Sequence, residues 1–236
     1  MTELVVRDSA AAADSRYLGY VGEDAHQISW AWLAPESPLA RTDDRVEVPG
    51  AELLPCPADV PRDRLLTLLA YWPAWRVTAW ARLEIGSGVL IVGSGTLAKQ
   101  VAEFCRCRGA LWRGVWGASG TRDGEDLWFP LSGGQQPSEI LRALPARPDS
   151  VLVLGGGAHE FIAALTICRD LGTVVVATPL ATALDLNLYP DVHRRGLTIH
   201  AGSPFEYGPA DREAWSQAAR RINTLIDLGL VAPWKQ

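Results

Sequence analysis

The feature that most constrains the fold is the segment of residues 89–98, which reads VLIVGSGTLA. A short continuous apolar run, typical of a buried strand, leads directly into glycines and then into a helical pattern that ends near Gly109. In the pattern G-x-G-x-x-A, Gly93 permits a tight turn, Gly95 permits close approach to the backbone, and Ala98 allows close helix–strand packing. The segment therefore predicts a strand, a sharp turn and a helix whose first amides are free.

The rest of the chain after this turn continues the alternation of strands and helices. The patterns predict strands in LWRGVWGA, SVLVLGGG, TVVVATP and LTIHAGS, and helices in PSEILRALPA, HEFIAALTICRDLG and DREAWSQAARRINTLIDLGL. Ser138 is the expected cap of the first of these helices and Gly172 the expected end of the second. The stretch 123–136 is expected to be irregular where a helix would normally connect strands. This alternation predicts an α/β fold with a doubly wound parallel sheet, Rossmann-like, because parallel strands need crossover connections.

The N-terminal part has a different pattern. Short apolar pieces separated by Asp, Gly and Pro predict several short strands within residues 1–60, including ISWAWL with Ile28, Trp30 and Trp32 on one face. Residues 61–84 predict a helix that Pro73 breaks or kinks just after Trp72. We therefore expect two domains, a small β-rich cap at 1–80 and a Rossmann-like domain at 81–236.

Composition excludes several classes of function. The net charge of −5 argues against a nucleic-acid partner, and the absence of a long uncharged apolar run argues against a membrane span. The N-terminus carries acidic residues early and shows no secretory pattern, so a cytoplasmic location is expected. Ten Trp residues indicate either core filling or contact surfaces.

The free amides of the glycine turn suit a pyrophosphate, because a helix N-terminus favours an anion. We expect Gly93, Ser94, Gly95, Thr96 and Leu97 to hold a dinucleotide there, although a tight turn without a ligand would use the same residues. The end of the next strand has no acidic residue. Instead, Ser119 and Arg122 follow it, which favours NADP while leaving NAD possible. The ends of later strands place Gly155, Gly156 and Thr178 at the same edge of the sheet.

From about Arg45 onward, the order of these pieces resembles the medium-chain dehydrogenase/reductase superfamily, the group of zinc alcohol dehydrogenases and quinone reductases. RVEVPGAELLPCP and the residues after it resemble the stretch that leads from a GroES-like barrel into the cofactor domain, and GVLIVGSGTLAKQVAEFCRCRGA resembles the first βα unit. The resemblance implies NAD(P)-dependent hydride transfer. It also implies that residues 1–80 are a truncated GroES-like domain, because 236 residues are too few for a complete member.

The sequence departs from the family in its metal ligands. No Cys/His pair stands where a catalytic zinc would need ligands, and the cysteines are scattered, so no metal site is expected. His159, near the second glycine cluster, and Tyr71, in the predicted cap, are the candidate catalytic residues, although a lone histidine is more often structural. We therefore expect a zinc-independent, NADP-preferring oxidoreductase acting on a small organic substrate.

Two other functions fit the same sequence. A non-catalytic dehydrogenase-like subunit would use the fold to scaffold or regulate a partner enzyme, and a methyltransferase using S-adenosylmethionine would share the glycine-rich turn but lacks the acidic residue expected after the second strand. A short cap covers a nicotinamide poorly, so we expect either a homo-oligomer or a heteromeric partner chain. Segment 28–34 and the residues Trp72, Trp75 and Trp80 are the predicted contact surfaces.

Overall fold

A computed structural model describes residues 2–5, 17–21, 29–33, 41–42, 45–48, 53–55, 57, 59–61, 64–117, 127–130, 135–180, 184, 186–205 and 211–233. The chain divides into two compact units, Met1–Trp72 with Glu206–Gln236, and Pro73–Phe205. The domain division between residues 80 and 81 stays a prediction.

The first unit contains an antiparallel sheet of short strands. Its strands are β1 (Thr2–Val5), β2 (Tyr17–Val21), β3 (Ser29–Leu33), β4 (Arg41–Thr42), β5 (Arg45–Val48) and β6 (Leu53–Pro55), in the order β4-β5-β1-β2-β3-β6. The register is defined along each pair, as in Tyr20 opposite Trp30 between β2 and β3. The short strands predicted for this region are thereby confirmed.

The core of the first unit also contains helical residues. The N-terminal half of helix α1 (Leu65–Trp80) and helix α5 (Asp211–Asp227) belong to this unit. The rings of Trp72 and Trp215 meet edge to face with centroids 5.4 Å apart, and both side chains are buried. The Arg64 guanidinium donates to Asn223 and Asp227 on α5. Burial of Trp72 contradicts its predicted part in a contact surface.

The second unit contains a parallel sheet of six strands. Its strands are β7 (Gly88–Val92), β8 (Trp112–Gly117), β9 (Leu127–Pro130), β10 (Ser150–Val153), β11 (Thr173–Val176) and β12 (Thr198–Ala201). Their order is β9-β8-β7-β10-β11-β12, in which every neighbouring pair is parallel. Numbered within this unit, the order is 3-2-1-4-5-6, that of a dinucleotide-binding Rossmann fold, so the predicted fold class is confirmed.

Strands β7 and β10 are buried along their whole length. Their continuous apolar runs predict this burial, because helices cover both faces of such a parallel sheet. The helices of this unit are α2 (Gly95–Cys107), α3 (Pro137–Ala143) and α4 (Ala158–Ile167), with a π-helical turn at Tyr189–His193. One core cluster joins Leu90 and Val92 of β7 to Ile140 of α3 and to Phe161 and Ala164 of α4.

The sequence predicts that Pro73 breaks or kinks the helix, and the structure excludes the break. Helix α1 continues through this proline to Trp80, and the boundary between the two compact units falls between Trp72 and Pro73. A proline inside a helix costs about 3 kcal/mol, since it removes a hydrogen bond and crowds the preceding turn. Leu69, Ala74 and Val77 are buried on both sides of it, and that packing outweighs the cost.

Three smaller predictions are also wrong. The stretch expected to be irregular contains strand β9, which pairs with β8 in parallel at the edge of the sheet. Helix α3 is capped by Gln136, not by Ser138, and Pro137 occupies its first turn, where a missing N–H costs nothing. Helix α4 ends at Ile167, and the positive φ of 62° after it belongs to Leu171, not to Gly172.

Among the helices of the described residues, none combines the length and the apolar character needed to cross a bilayer.

Candidate functional site

The turn between β7 and α2 has the geometry that its glycines predict. Gly93 has φ +146° and Gly95 has φ +79°, both in a region that side chains with a Cβ disfavour. Between them, Ser94 is extended, at φ −141° and ψ 178°, and forms the N-cap of α2. The turn therefore requires glycine on both sides of the cap residue, at the carboxyl end of a central strand.

Backbone packs directly on backbone where the strand ends meet. A Cβ atom on Gly117, the last residue of β8, would lie 2.1 Å from the carbonyl oxygen of Gly93, and one on Gly93 would lie 3.1 Å from Leu154 Cβ. The Gly93 amide donates to Trp116 O, and the Leu154 amide donates to Val92 O, each over 2.8 Å. The carboxyl ends of β7, β8 and β10 are thus held together through main-chain atoms.

Among the described residues, the start of α2 is open. Apart from its chain neighbours and its own helix, no described residue has an atom within 4 Å of a Cβ atom placed on Gly95, and Ser94, Gly95 and Thr96 are exposed. The Ser94 side chain makes no capping hydrogen bond, and the first turn of α2 contains no acidic residue. The first amides of this helix have no partner within the helix, and the positive end of the helix dipole lies behind them, which suits an anion.

The second glycine cluster is built differently, because its helix caps itself. Glu160 of α4 accepts a hydrogen bond of 2.7 Å from the Gly157 amide. Gly156 has φ +92°, and a Cβ atom there would lie 2.6 Å from Glu160 Cγ. The N-terminus of α4 is thus supplied with a carboxylate of its own, whereas that of α2 is not. Sequence reasoning missed Glu160, although a glutamate three residues after a cap position is a known signal.

The structure brings most of the predicted residues to one edge of one sheet. Gly93 to Leu97 follow β7, Gly155, Gly156 and His159 follow β10, and Thr178 follows β11. His159 is exposed in the first turn of α4, and Thr178 is half-buried. Because the strands are parallel, all these residues lie at the carboxyl edge, where such sheets bind ligands. Ser119 and Arg122 lie outside the described residues.

Tyr71 belongs to the other compact unit and is buried, at 5% exposure. Its hydroxyl donates a hydrogen bond of 2.8 Å to the carbonyl oxygen of Ala232. The phenolic proton is therefore already engaged with the backbone near the C-terminus.

The described residues contain no group of three or more His, Cys, Asp and Glu side chains placed to hold a metal ion. Cys105 is buried and Cys107 half-buried on α2, so the two point to different environments, as their spacing predicts. Burial raises the pKa of Cys107 above its ordinary value, and burial raises the pKa of Cys168 to about 11. The raised pKa values disfavour the thiolate form of both residues, which is the form that ligates a metal.

Comparison with solved structures confirms the fold. The chain resembles galactitol-1-phosphate dehydrogenase from Escherichia coli, with a TM-score of 0.69 and 14% identity over 98% of this chain and 83% of that one. It resembles a short chain alcohol dehydrogenase (rspB) from E. coli CFT073 complexed with NADH, with a TM-score of 0.68 and 12% identity over 93% and 73%. The alcohol dehydrogenase TADH from Thermus sp. ATN1 gives a TM-score of 0.60 and 18% identity over 80% and 54%.

The chain thus spans only about half the length of some of the dehydrogenase structures that it matches. No protein-family model matches the chain, and no curated protein matches it either. At these identities the likeness concerns the fold alone, and the fold that the sequence resemblance implied is confirmed.

Proposed function

We propose that the turn between β7 and α2 binds a nicotinamide dinucleotide and that the protein is an oxidoreductase. The observation that carries this proposal is the start of α2, which has no side-chain cap and has positive φ at Gly93 and Gly95. In the part of the chain that the structure describes, no contact is found within 4 Å of a Cβ on Gly95. A side chain at Gly95 would fill the space that a diphosphate needs. The dehydrogenases that share the fold, one of them complexed with NADH, support the same function.

Each part of the carboxyl edge has a role in this proposal. The amides of Gly95, Thr96 and Leu97 hold the pyrophosphate, because they have no partner within their own helix. Gly155 and Thr178 line the edge along which the nicotinamide half would extend. The bound dinucleotide would supply the hydride. His159, exposed at the same edge, is the proposed proton donor, and Tyr71 could serve only by giving up its bond to Ala232.

We further propose a preference for NADP over NAD. Strand β8 ends in Val115, Trp116 and Gly117, and the residues directly after it include no carboxylate to accept a bond from a ribose hydroxyl. Ser119 and Arg122 follow and offer donors to a 2′-phosphate, with Arg able to bind in a bidentate manner. The proposal also includes a zinc-independent reaction on a small organic substrate, completed by a second protein chain.

Titration of the protein with NADPH and NADH, followed by quenching of tryptophan fluorescence, tests the proposal. We expect micromolar binding of NADPH and weaker binding of NADH. The Gly95→Val variant should lose binding of both. Gly86→Val is its matched control, because Gly86 also has a positive φ, 91°, and no atom within 4 Å of a Cβ, but lies before β7 at the opposite edge of the sheet.

The outcomes separate the candidate functions. Loss of binding in Gly95→Val but not in Gly86→Val supports the site. Equal affinity in both variants and the wild type would place the nucleotide elsewhere. No response of the wild type to either nucleotide favours the non-catalytic subunit. Weaker NADPH binding by Arg122→Ala, with NADH binding unchanged, supports the preference for NADP.

A further inference from the structure

A cavity lies at the amino edge of the parallel sheet. It is an open depression of about 420 Å³ lined by Arg147, Thr166, Asp170 and Arg195. Arg147 precedes β10, Asp170 precedes β11 and Arg195 precedes β12, so these side chains start from the amino ends of the strands. The glycine turn is at the carboxyl ends, and the two sites are therefore separate.

The Arg195 guanidinium is held in place by three acceptors. Its Nε donates to Asp170 Oδ1 over 2.7 Å, Nη1 donates to the carbonyl oxygen of Leu165, and Nη2 donates to that of Cys168. These carbonyls belong to the last turn of α4, where backbone acceptors have no partner within the helix. Arg195 alone thus caps much of the C-terminus of α4.

The Arg147 guanidinium approaches the same helix end and uses one nitrogen to do so. Its Nη1 lies 2.8 Å from Thr166 O and 3.4 Å from the carbonyl oxygens of Ile167 and Cys168. Within the described part of the chain, Nε and Nη2 of Arg147 have no acceptor. Since a guanidinium carries five N–H donors in a planar fork, most of its donors remain available beside the depression.

The two cations converge without enough negative charge between them. Both donate to the carbonyl oxygen of Cys168, so the guanidinium groups are neighbours. Among the described residues that line the depression, Asp170 alone is a carboxylate, and its side chain is 74% exposed. The neighbouring Arg169 is already paired with Asp149 over 2.6 Å. The partial charge of a helix C-terminus, about −0.5, offsets only part of the remaining excess.

We propose that this depression, defined by Arg147, Thr166 and Arg195, binds a phosphate group, either inorganic phosphate or the phosphate of a small metabolite. A tetrahedral dianion accepts several charge-assisted hydrogen bonds at once, which matches the donors of Arg147 and the spare donors of Arg195. The exposed Thr166 hydroxyl, which donates to Ile162 O, lies at the same wall. The volume leaves room for an organic group beyond the phosphate.

Calorimetric titration with sodium phosphate and with glycerol 3-phosphate, at constant ionic strength maintained with NaCl, measures this binding. We expect Arg147→Ala to weaken the affinity for both by about tenfold or more, as loss of a charge-assisted bond implies. Arg142→Ala removes an exposed arginine in the last turn of α3 and serves as the matched control. Tighter binding of glycerol 3-phosphate supports a metabolite as ligand, and equal binding supports the free anion.

A further variant keeps the test valid if Arg147→Ala also loosens α4. Asp170→Asn removes the local carboxylate without touching a helix carbonyl, and we expect phosphate to bind several-fold tighter to it. Absence of phosphate binding in the wild type, or unchanged affinity in both Arg147→Ala and Asp170→Asn, would overturn the proposal.

Discussion

At the scale of single residues, the candidate site depends on the places where a side chain is missing. Gly117, Gly93 and Gly155 meet where β8, β7 and β10 end, and a Cβ atom on Gly117 would lie 2.1 Å from Gly93 O. That contact is with backbone, which cannot rotate away as a side-chain tip can. The glycine at the end of β8 is therefore required by packing rather than by a ligand.

Replacement of Gly117 by alanine is expected to lower the free energy of unfolding by about 3 kcal/mol, since the added methyl forces neighbouring strand ends apart. Urea denaturation followed by fluorescence measures it. Gly155→Ala is the control, because its Cβ would lie 3.8 Å from Gly93 Cα, an ordinary contact. Similar losses in the two variants would contradict the packing described at Gly117.

Glu160 gives a second test at this scale. Its carboxylate accepts from the Gly157 amide at the start of α4. We expect Glu160→Ala to lower stability by about 1 kcal/mol, because a helix then loses its capping acceptor and a favourable charge. Glu160→Gln should lose less, as it keeps an acceptor oxygen. Glu84→Ala, at an exposed position outside the helices, should change stability little; a loss as large as that of Glu160→Ala would speak against a capping role.

How much of the site the sequence predicts depends on the kind of contact. Gly93 and Gly95 follow from motif spacing, because the turn is local and its requirements lie within a few residues. Gly117 and Gly93 are far apart in the chain, and their contact arises only once β7 and β8 pair. The engagement of Tyr71 with Ala232 is equally non-local. No local pattern carries that information.

At the scale of elements, the end of α1 and the edge strand β12 are joined by one aromatic stack. The rings of Trp80 and His200 are stacked with centroids 4.7 Å apart, and Arg76 Cζ lies 5.1 Å from the Trp80 ring. Burial lowers the pKa of His200 below its ordinary value, and the positive charges of Arg82 and Arg76 lower it further. The folded protein therefore favours the neutral imidazole.

The lowered pKa of His200 makes the free energy of unfolding depend on pH. As the pH falls through about 6.5, the ordinary value for histidine, the unfolded chain takes up a proton before the folded chain does. The contribution of His200 is therefore complete above pH 6.5 and is lost as the pH falls through the lower, folded pKa. We expect His200→Gln to flatten the fall in stability between pH 7 and 5, measured by urea denaturation at each pH.

His193→Gln is the control for that experiment. His193 also stacks on an aromatic ring, that of Tyr189 at 5.8 Å, but is exposed on the π-helical turn. His193→Gln removes this stacked but exposed ring and is measured beside His200→Gln. If His193→Gln flattened the curve and His200→Gln did not, the assignment to the stack on Trp80 would be wrong.

Elements differ in how far local patterns reveal them. Strands β7, β10 and β11 are continuous apolar runs bounded by glycine, and this local pattern is enough to predict them. Strand β9 has only four residues, ends in Pro130 and follows a polar stretch rather than a helix. A proline is tolerated there because β9 is at the edge of the sheet, a position known only after the sheet has formed. Helix α1 continues past Pro73 for the same kind of reason, since tertiary packing outweighs local propensity.

At the scale of the whole molecule, binding of a dinucleotide should stabilise the unit Pro73–Phe205, which contains the glycine turn. A ligand at one hundred times its dissociation constant adds about 2.7 kcal/mol to the stability of the state that binds it. We expect NADPH to raise the melting temperature of this unit in calorimetry and to leave that of Gly95→Val unchanged. An equal rise in the variant would contradict binding at the turn.

The proposed partner chain gives another prediction for the whole molecule. Light scattering after size-exclusion chromatography should report a mass above the 25.6 kDa of one chain, or a larger complex when the partner is present. The predicted contact segment is 28–34, which contains strand β3. A monomer that binds NADPH and reduces a substrate by itself would remove the need for a partner.

The junction of Gly93 with Gly117 has a consequence for how this protein can change over time. Because main chain touches main chain there, the junction imposes no requirement on neighbouring side chains beyond leaving it room. Such a junction tolerates replacement of the side chains that surround it. The proposed nucleotide site and the proposed reaction can therefore change independently of each other.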